Sequence, residues 1–162
     1  MIHSVVLGLG GNQGARLALL KEAVNRLLGN MVLVRASGIY ETEAWGGNSQ
    51  RAYLNQVLAV QTDMEPEPTL RFLQQVEEEL GRKRTDKWGD RTMDIDILYF
   101  DDRVINTDNL QVPHPQLPFR KFVLVPLAEI LPNYQHPELG VSNRDLLIDC
   151  KDPLAVRLYA DG

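Results

Sequence analysis

One cysteine in 162 residues leaves no internal disulfide possible, so the fold must rest on its apolar core. Cys150, near the C-terminus and without a neighbouring histidine, reads as a plain thiol. No apolar run approaches the roughly 20 residues of a membrane-spanning helix. The opening MIHSVVLGLGGNQG has no basic n-region before its short apolar stretch. We therefore expect neither a secretory signal nor a membrane partner, and a cytoplasmic protein. Positive charge is in short supply: 17 Lys and Arg stand against 22 Asp and Glu, a net charge of −5. That balance argues against nucleic acid as the main partner, and any bound anion needs a local basic cluster. G-x-x-x-x-G-K-[ST] is missing, which excludes a P-loop. Repeats, low-complexity tracts and linkers are also missing, so residues 1–162 are expected to form one domain.

What is present alternates between two periods. His3 to Leu9 reads as a strand ended by the glycines of GLGGNQG. A helix is predicted from about Ala15 to Leu28, with Leu17, Leu20, Val24, Leu27 and Leu28 on one stripe, Asn12 helping its start and Gly29 as a left-handed stop. Val32 to Tyr40 and Tyr53 to Thr62 are rich in β-branched and aromatic residues and read as long strands. A second helix is predicted to open after the prolines of MEPEPT and to end at Gly81. The next strand lies within DRTMDIDILYF, where Met93, Ile95, Ile97 and Tyr99 alternate with Thr92, Asp94, Asp96 and Leu98. This order, βαββαβ, is the ferredoxin-like α+β arrangement, an antiparallel sheet with two helices on one face. A proline-rich C-terminal extension follows, with short helices expected at Pro126 to Leu131 and, behind a Ser142 cap, at Arg144 to Ile148.

The last strand poses a chemical question. Asp94 and Asp96 are two apart, so their side chains share a face with Cα atoms about 7 Å apart. Two ionised carboxylates at about 6.5 Å repel by about 2.5 kcal/mol at an effective dielectric of 20. Taken alone, the pair suits a solvated edge strand that resists aggregation. Taken with Arg82, Lys83, Arg84, Lys87 and Arg91 just upstream, it suits a metal-bound polyphosphate: carboxylates for magnesium, arginine forks for the phosphate oxygens. A solvated charge run is the plainer alternative for the basic stretch.

Tyr53 and Asn55 also lie two apart on a strand. With a second aromatic opposite, they could sandwich a flat heterocycle and read its edge; otherwise they face solvent. Gly8, Gly10, Gly11 and Gly14 come near G-x-G-x-x-G, but the spacing fails and two consecutive strands follow; we expect a structural turn there, with dinucleotide binding as the weaker alternative.

Together, the LGGN turn, YETEAWG, YLN, EEELGRKR, WGDRTMDIDILYF, VINTDNLQVPHP and FRKFVLVPLAEILP resemble the 6-hydroxymethyl-7,8-dihydropterin pyrophosphokinase family over most of the chain. The resemblance implies transfer of the β,γ-diphosphate of ATP to the hydroxymethyl group of 6-hydroxymethyl-7,8-dihydropterin, releasing AMP, in folate biosynthesis. It implies two magnesium ions on Asp94 and Asp96. It implies a pterin stacked between Tyr53 and Phe122, its edge read by Asn55, with Thr42 and Asp94 adjoining. The nucleotide-site positions it matches are Gln74, Glu77, Arg84, Trp88, Arg91, Ile97, His114 and Arg120. Arg82, Arg84 and Arg91 match arginines that engage the reacting phosphates, so the catalytic set is these three with Asp94 and Asp96. The family leans toward a monomer. Departures fall at Glu43, Ala44 and Trp45, at Asp90, at Asn109 and Gln111, and at Pro115. The same fold also serves RNA-binding modules and small-molecule-binding domains without catalysis. An acidic chain with carboxylates on its sheet disfavours the first, and release of AMP discriminates against the second.

Overall fold

The computed structural model of the protein describes residues 1–42, 52–81 and 92–162. Strands β1 (His3–Gly11), β2 (Val32–Ala36), β3 (Ile39–Thr42), β4 (Tyr53–Thr62), β5 (Asp94–Phe100) and β8 (Val156–Ala160) form one antiparallel sheet. Its order is β5-β1-β4-β3-β8, with β2 also paired to β4. Helices α1 (Arg16–Leu27) and α2 (Pro66–Glu79) follow β1 and β4. If β2 and β3 are taken as one interrupted strand, the core is the βαββαβ expected. The interruption is at Ser37 and Gly38: Ser37 accepts from Val57 N through its hydroxyl and donates its own N–H to Val57 O, both at 2.9 Å. One long predicted strand therefore becomes two, because a side chain takes over a ladder bond.

The first core lies between the sheet and α1 and α2. Val5, Leu7, Leu9, Leu54, Leu58, Val60, Ile95 and Ile97 meet Leu20, Ala23, Leu27, Leu73 and Val76 there. The start of α1 departs from expectation: Ala15 occupies the N-cap without a side-chain bond, and Gly14, at φ +72°, makes the turn. Asn12 is fully buried upstream of it. The left-handed stop belongs to α2, at Gly81 with φ +93°, and not to Gly29. Pro66 and Pro68 lie inside the first turn of α2, where a missing N–H costs no helical bond.

Part of the opposite sheet face is covered as well. Helix α3 (Lys121–Ile130) and helix α4 (Asn143–Asp149, capped by Ser142 as expected) bring Leu124, Leu127, Ile130 and Leu146 onto Val6, Val57, Leu98 and Tyr99. Two features here differ from the sequence reading. Helix α3 begins five residues before Pro126, which sits inside it; packing of its apolar face outweighs the proline. Tyr99 lies in the second core, not with Ile95 and Ile97. Opposite Val6 and Leu7 the register of β5 shifts, since Leu7 pairs Ile97 and Val6 pairs Tyr99. Leu98 is the additional residue of a bulge, which resets the alternation behind the aspartates. Strand β8 and the short ribbon of β6 (Ile105–Asn106) and β7 (Gln111–Val112) were not foreseen.

Candidate active site

The register of the sheet decides which side chains share a face. Gly10 of β1 pairs Asn55 of β4 on one side and Asp94 of β5 on the other; Gly8 pairs Val57 and Asp96. Directly paired residues point the same way, so Asn55, Asp94 and Asp96 stand on the face carrying Val57 and Leu98. Thr42 pairs Tyr53 at the end of the same face. Helix α3 covers the Val6–Tyr99 half of that face and begins beside the other half, where its N-terminal residues Arg120 and Phe122 lie.

Gly8 and Gly10 are therefore strand residues, where the sequence reading placed a turn that falls at Gly14 instead: Gly10 is the floor between Asn55 and Asp94, and Gly8 lies between Val57 and Asp96. A Cβ on Gly10 would stand 2.5 Å from Asn55 Oδ1. The amide lies in the notch that the missing side chain leaves. Asn55 is only 6% exposed, and its Nδ2 has no hydrogen-bond partner among the described residues. A buried amide N–H left in this condition is costly unless an acceptor arrives.

Asp96 is half exposed, and its Oδ2 lies 3.8 Å from His114 Nε2. Gln116 N donates to His114 Nδ1 at 3.1 Å, which leaves the imidazole proton on Nε2, facing the carboxylate. Burial holds the His114 pKa below its ordinary value; Asp96 works against that and Arg120 with it. Arg120 is likewise held below the usual guanidinium range by burial, against the pull of Asp96, Asp94 and Asp152. Its guanidinium lies 5.7 Å from the centroid of the Phe122 ring, and its Nε has no hydrogen-bond partner among the described residues. Asp152 caps the start of α3, accepting from Lys121 N at 3.1 Å.

Among the described residues no group of three or more His, Cys, Asp or Glu is arranged to hold a metal ion. Two carboxylates on one strand suit a magnesium ion that takes its other oxygens from water and phosphate. Asp94 and Asp96 fit that need, with Arg120 beside them as a fixed cation.

The model of the 7,8-dihydro-6-hydroxymethylpterin-pyrophosphokinase (HPPK) family matches residues 6–132. The chain belongs to this family. It is 44% identical over 134 residues to the 2-amino-4-hydroxy-6-hydroxymethyldihydropteridine pyrophosphokinase of Aquifex aeolicus, covering 83% of this chain and 84% of that one. To the protein of the same name from Bacillus subtilis it is 43% identical over 132 residues, 80% and 79% of the two chains. In fold it is similar to the HPPK-DHPS of Plasmodium falciparum crystallised with pteroate, at a TM-score of 0.72 and 17% identity, over 91% of this chain and 42% of that chain. It thus spans less than half the length of that solved chain.

For this HPPK-family chain, the geometry brings together Asn55, Asp94, Asp96, His114, Arg120 and Phe122 around the uncovered half of one sheet face, with Thr42 and Tyr53 at its end. Thr42 is buried and its hydroxyl donates to Ala155 O at 2.9 Å. Glu77 and Ile97 lie on the other side of β5. Ile97 is in the first core, and Glu77, 6% exposed, accepts from Ile95 N at 2.7 Å. Glu77 thereby holds the outer edge of the strand between the two aspartates. Gln74 is exposed on α2. Arg82, Arg84, Trp88 and Arg91, and the loop of Glu43 to Gln50 with Trp45, lie outside the described residues.

Sequence reasoning missed Gly8 and Gly10 as site residues. The signal was available: glycines two apart within an apolar alternation mark a strand face where something approaches closely.

Proposed function

We propose that the protein transfers the β,γ-diphosphate of ATP to the hydroxymethyl group of 6-hydroxymethyl-7,8-dihydropterin, with AMP as the second product. The observation that carries this reading is the row Asn55–Gly10–Asp94. It sets an amide awaiting an acceptor and a metal-type carboxylate on one face, separated by a residue without a side chain. A flat heterocycle bound at Asn55 and Tyr53 would present its hydroxymethyl group toward a triphosphate at Asp94 and Asp96.

The pterin hydroxyl attacks the β-phosphorus in line, and AMP leaves from the opposite side. Asp94 and Asp96 would hold two magnesium ions. Bound there, magnesium supplies charge neutralisation for the triphosphate. Asn55 orients the pterin edge, with Tyr53 and Phe122 proposed to lie against its faces and Thr42 beside it. Arg120 offers a permanent positive charge where negative charge develops. Arg82, Arg84 and Arg91 are proposed to tighten on the migrating group, and Gln74, Glu77, Trp88, Ile97 and His114 to border the nucleotide along β5. Positioning and electrostatics do most of the work, because phosphoryl transfer asks little covalent chemistry of the protein. A monomeric cytoplasmic enzyme, one pyrophosphokinase domain over 1–162, completes the proposal. Among the described residues no helix is long and apolar enough to cross a membrane.

The test is AMP formation from ATP and magnesium with and without the pterin, on a sample whose mass is read by light scattering. AMP and pterin diphosphate in equal amounts, dependent on pterin and abolished by chelation, are expected. Tight pterin binding with no AMP would reduce the protein to a binding module.

A further inference from the structure

The hairpin that carries Thr42 and Tyr53 is held from behind by one guanidinium. Arg16, the first residue of α1, donates through the same Nη1 to Glu41 Oε2 at 2.8 Å and to Ala52 O at 2.9 Å. Glu41 adjoins Thr42 and Ala52 adjoins Tyr53, so the two bonds grip both stems of the hairpin next to its last register pair, Thr42 with Tyr53. Glu41 pairs Leu54, a residue of the first core. Its carboxylate therefore points to the helix side of the sheet, away from Tyr53. The grip comes from the face opposite the proposed pterin pocket.

A second cation completes the arrangement. Arg157, the partner of Glu41 in β8, donates from Nη2 to Glu41 Oε1 at 3.0 Å. With Arg157 and Arg16 both bonded to it, the Glu41 carboxyl is held below the usual carboxylate range. The two cations are unequal: the Arg157 side chain is 73% exposed, the Arg16 side chain 22%. The bond to Arg16 is the less screened, and of these two arginines it is Arg16 that also bonds Ala52. Its guanidinium also lies 5.5 Å from the Tyr159 ring, which limits its freedom.

We propose that Arg16 is a positioning residue for the pterin site: by joining Glu41 to Ala52 it sets the spacing and tilt of Thr42 and Tyr53, and so the plane on which the heterocycle lies. This rests on the function proposed above. Nη1 uses both of its protons, one on each stem. A lysine ammonium can supply the same two bonds, whereas alanine can supply neither.

The experiment measures KM for pterin, KM for ATP and kcat in the wild type and in Arg16→Ala, Arg16→Lys and Glu41→Gln, with melting temperature alongside. For Arg16→Ala the pterin KM rises about tenfold, as expected from loss of a charge-assisted bond, while the ATP KM stays within about twofold. Arg16→Lys recovers most of the loss, and Glu41→Gln, which keeps an acceptor without the charge, lies between. Unchanged pterin KM in Arg16→Ala, or equal rises in both KM values, overturns the inference. If Arg16→Ala does not fold, Glu41→Gln decides: a pterin-selective rise supports the grip and none overturns it. A wild type that makes no AMP defeats the functional reading instead, so the two failures are distinguishable.

Discussion

Asp94 and Asp96 sit on an edge strand, and the sequence alone allowed them to be a solvated edge. What separates the two readings is their company. His114 and Arg120 come from a segment about twenty residues downstream and converge on the same carboxylates. A purely protective edge would not bring a half-buried imidazole and a half-buried guanidinium up to its acids. At this scale Asp96→Ala is expected to cost at least about a thousandfold in turnover, about 4 kcal/mol of transition-state stabilisation, with free pterin binding affected much less. Single-turnover rates near those of the wild type would remove the metal role from this carboxylate. Spacing made the pair legible, because period two on a strand follows from backbone geometry. Arg120 and Phe122 were legible only through family resemblance: no local pattern says that the first residues of α3 end beside β5.

Among the elements, β1 shows how a strand can serve a site without lending it a side chain. Its residues Val5, Leu7 and Leu9 pack into the first core, while Gly10 lies between Asn55 and Asp94, and Gly8 between Val57 and Asp96. The backbone at Gly10 has no positive φ, so alanine is conformationally acceptable there and the obstacle is Asn55 Oδ1 alone. Gly10→Ala is expected to weaken pterin binding about tenfold, measured calorimetrically with a nonhydrolysable nucleotide present. Gly8→Ala, whose Cβ would meet Leu98 side-chain carbons at 3.4 Å, should do much less. Equal effects of the two would show that the notch at Gly10 does not orient the amide. Gly8 and Gly10 were misread as part of the turn, which Gly14 makes, because glycine signals both turns and close approach. Only the pairing of β1 with β4 and β5 distinguishes them. The bulge at Leu98 was invisible for a related reason: a bulge is a property of two strands, and the alternation of one strand does not contain it.

Across the whole molecule, one cluster links distant ends of the chain. His3, 4% exposed, meets Glu65 Oε2 at 2.5 Å through Nε2 and Asp101 Oδ2 at 2.7 Å through Nδ1. Glu65 is the N-cap of α2, and Asp101, which follows β5, also accepts from Ser4 N at 2.7 Å. Tyr134 donates to the Asp101 carbonyl at 2.8 Å. Bonds to Glu65 first and Asp101 second raise the His3 pKa above its ordinary 6.5, against the effect of burial. The native state thus holds a proton that the unfolded chain releases at lower pH. The stabilisation is complete below about pH 6.5 and is lost as pH rises through the raised native value. Urea unfolding of the wild type and of His3→Gln between pH 6 and pH 9 should show a stability difference that is largest at pH 6 and shrinks upward. A constant or growing difference would mean that His3 is not charged in the native state.

The sequence by itself determined the βαββαβ order of the core elements, the apolar stripes of α1 and α2 and the shared face of Asp94 and Asp96. These follow from local periods and turn chemistry, which operate over a few residues. The tertiary structure alone decided which face each strand turns to which partner, that α3 and α4 cover part of the second face, and that Arg16 reaches both stems of a hairpin. Those facts depend on strand register and on contacts between residues tens of positions apart. Their energies come from burial and pairing across the sheet, and no short stretch of the chain records them.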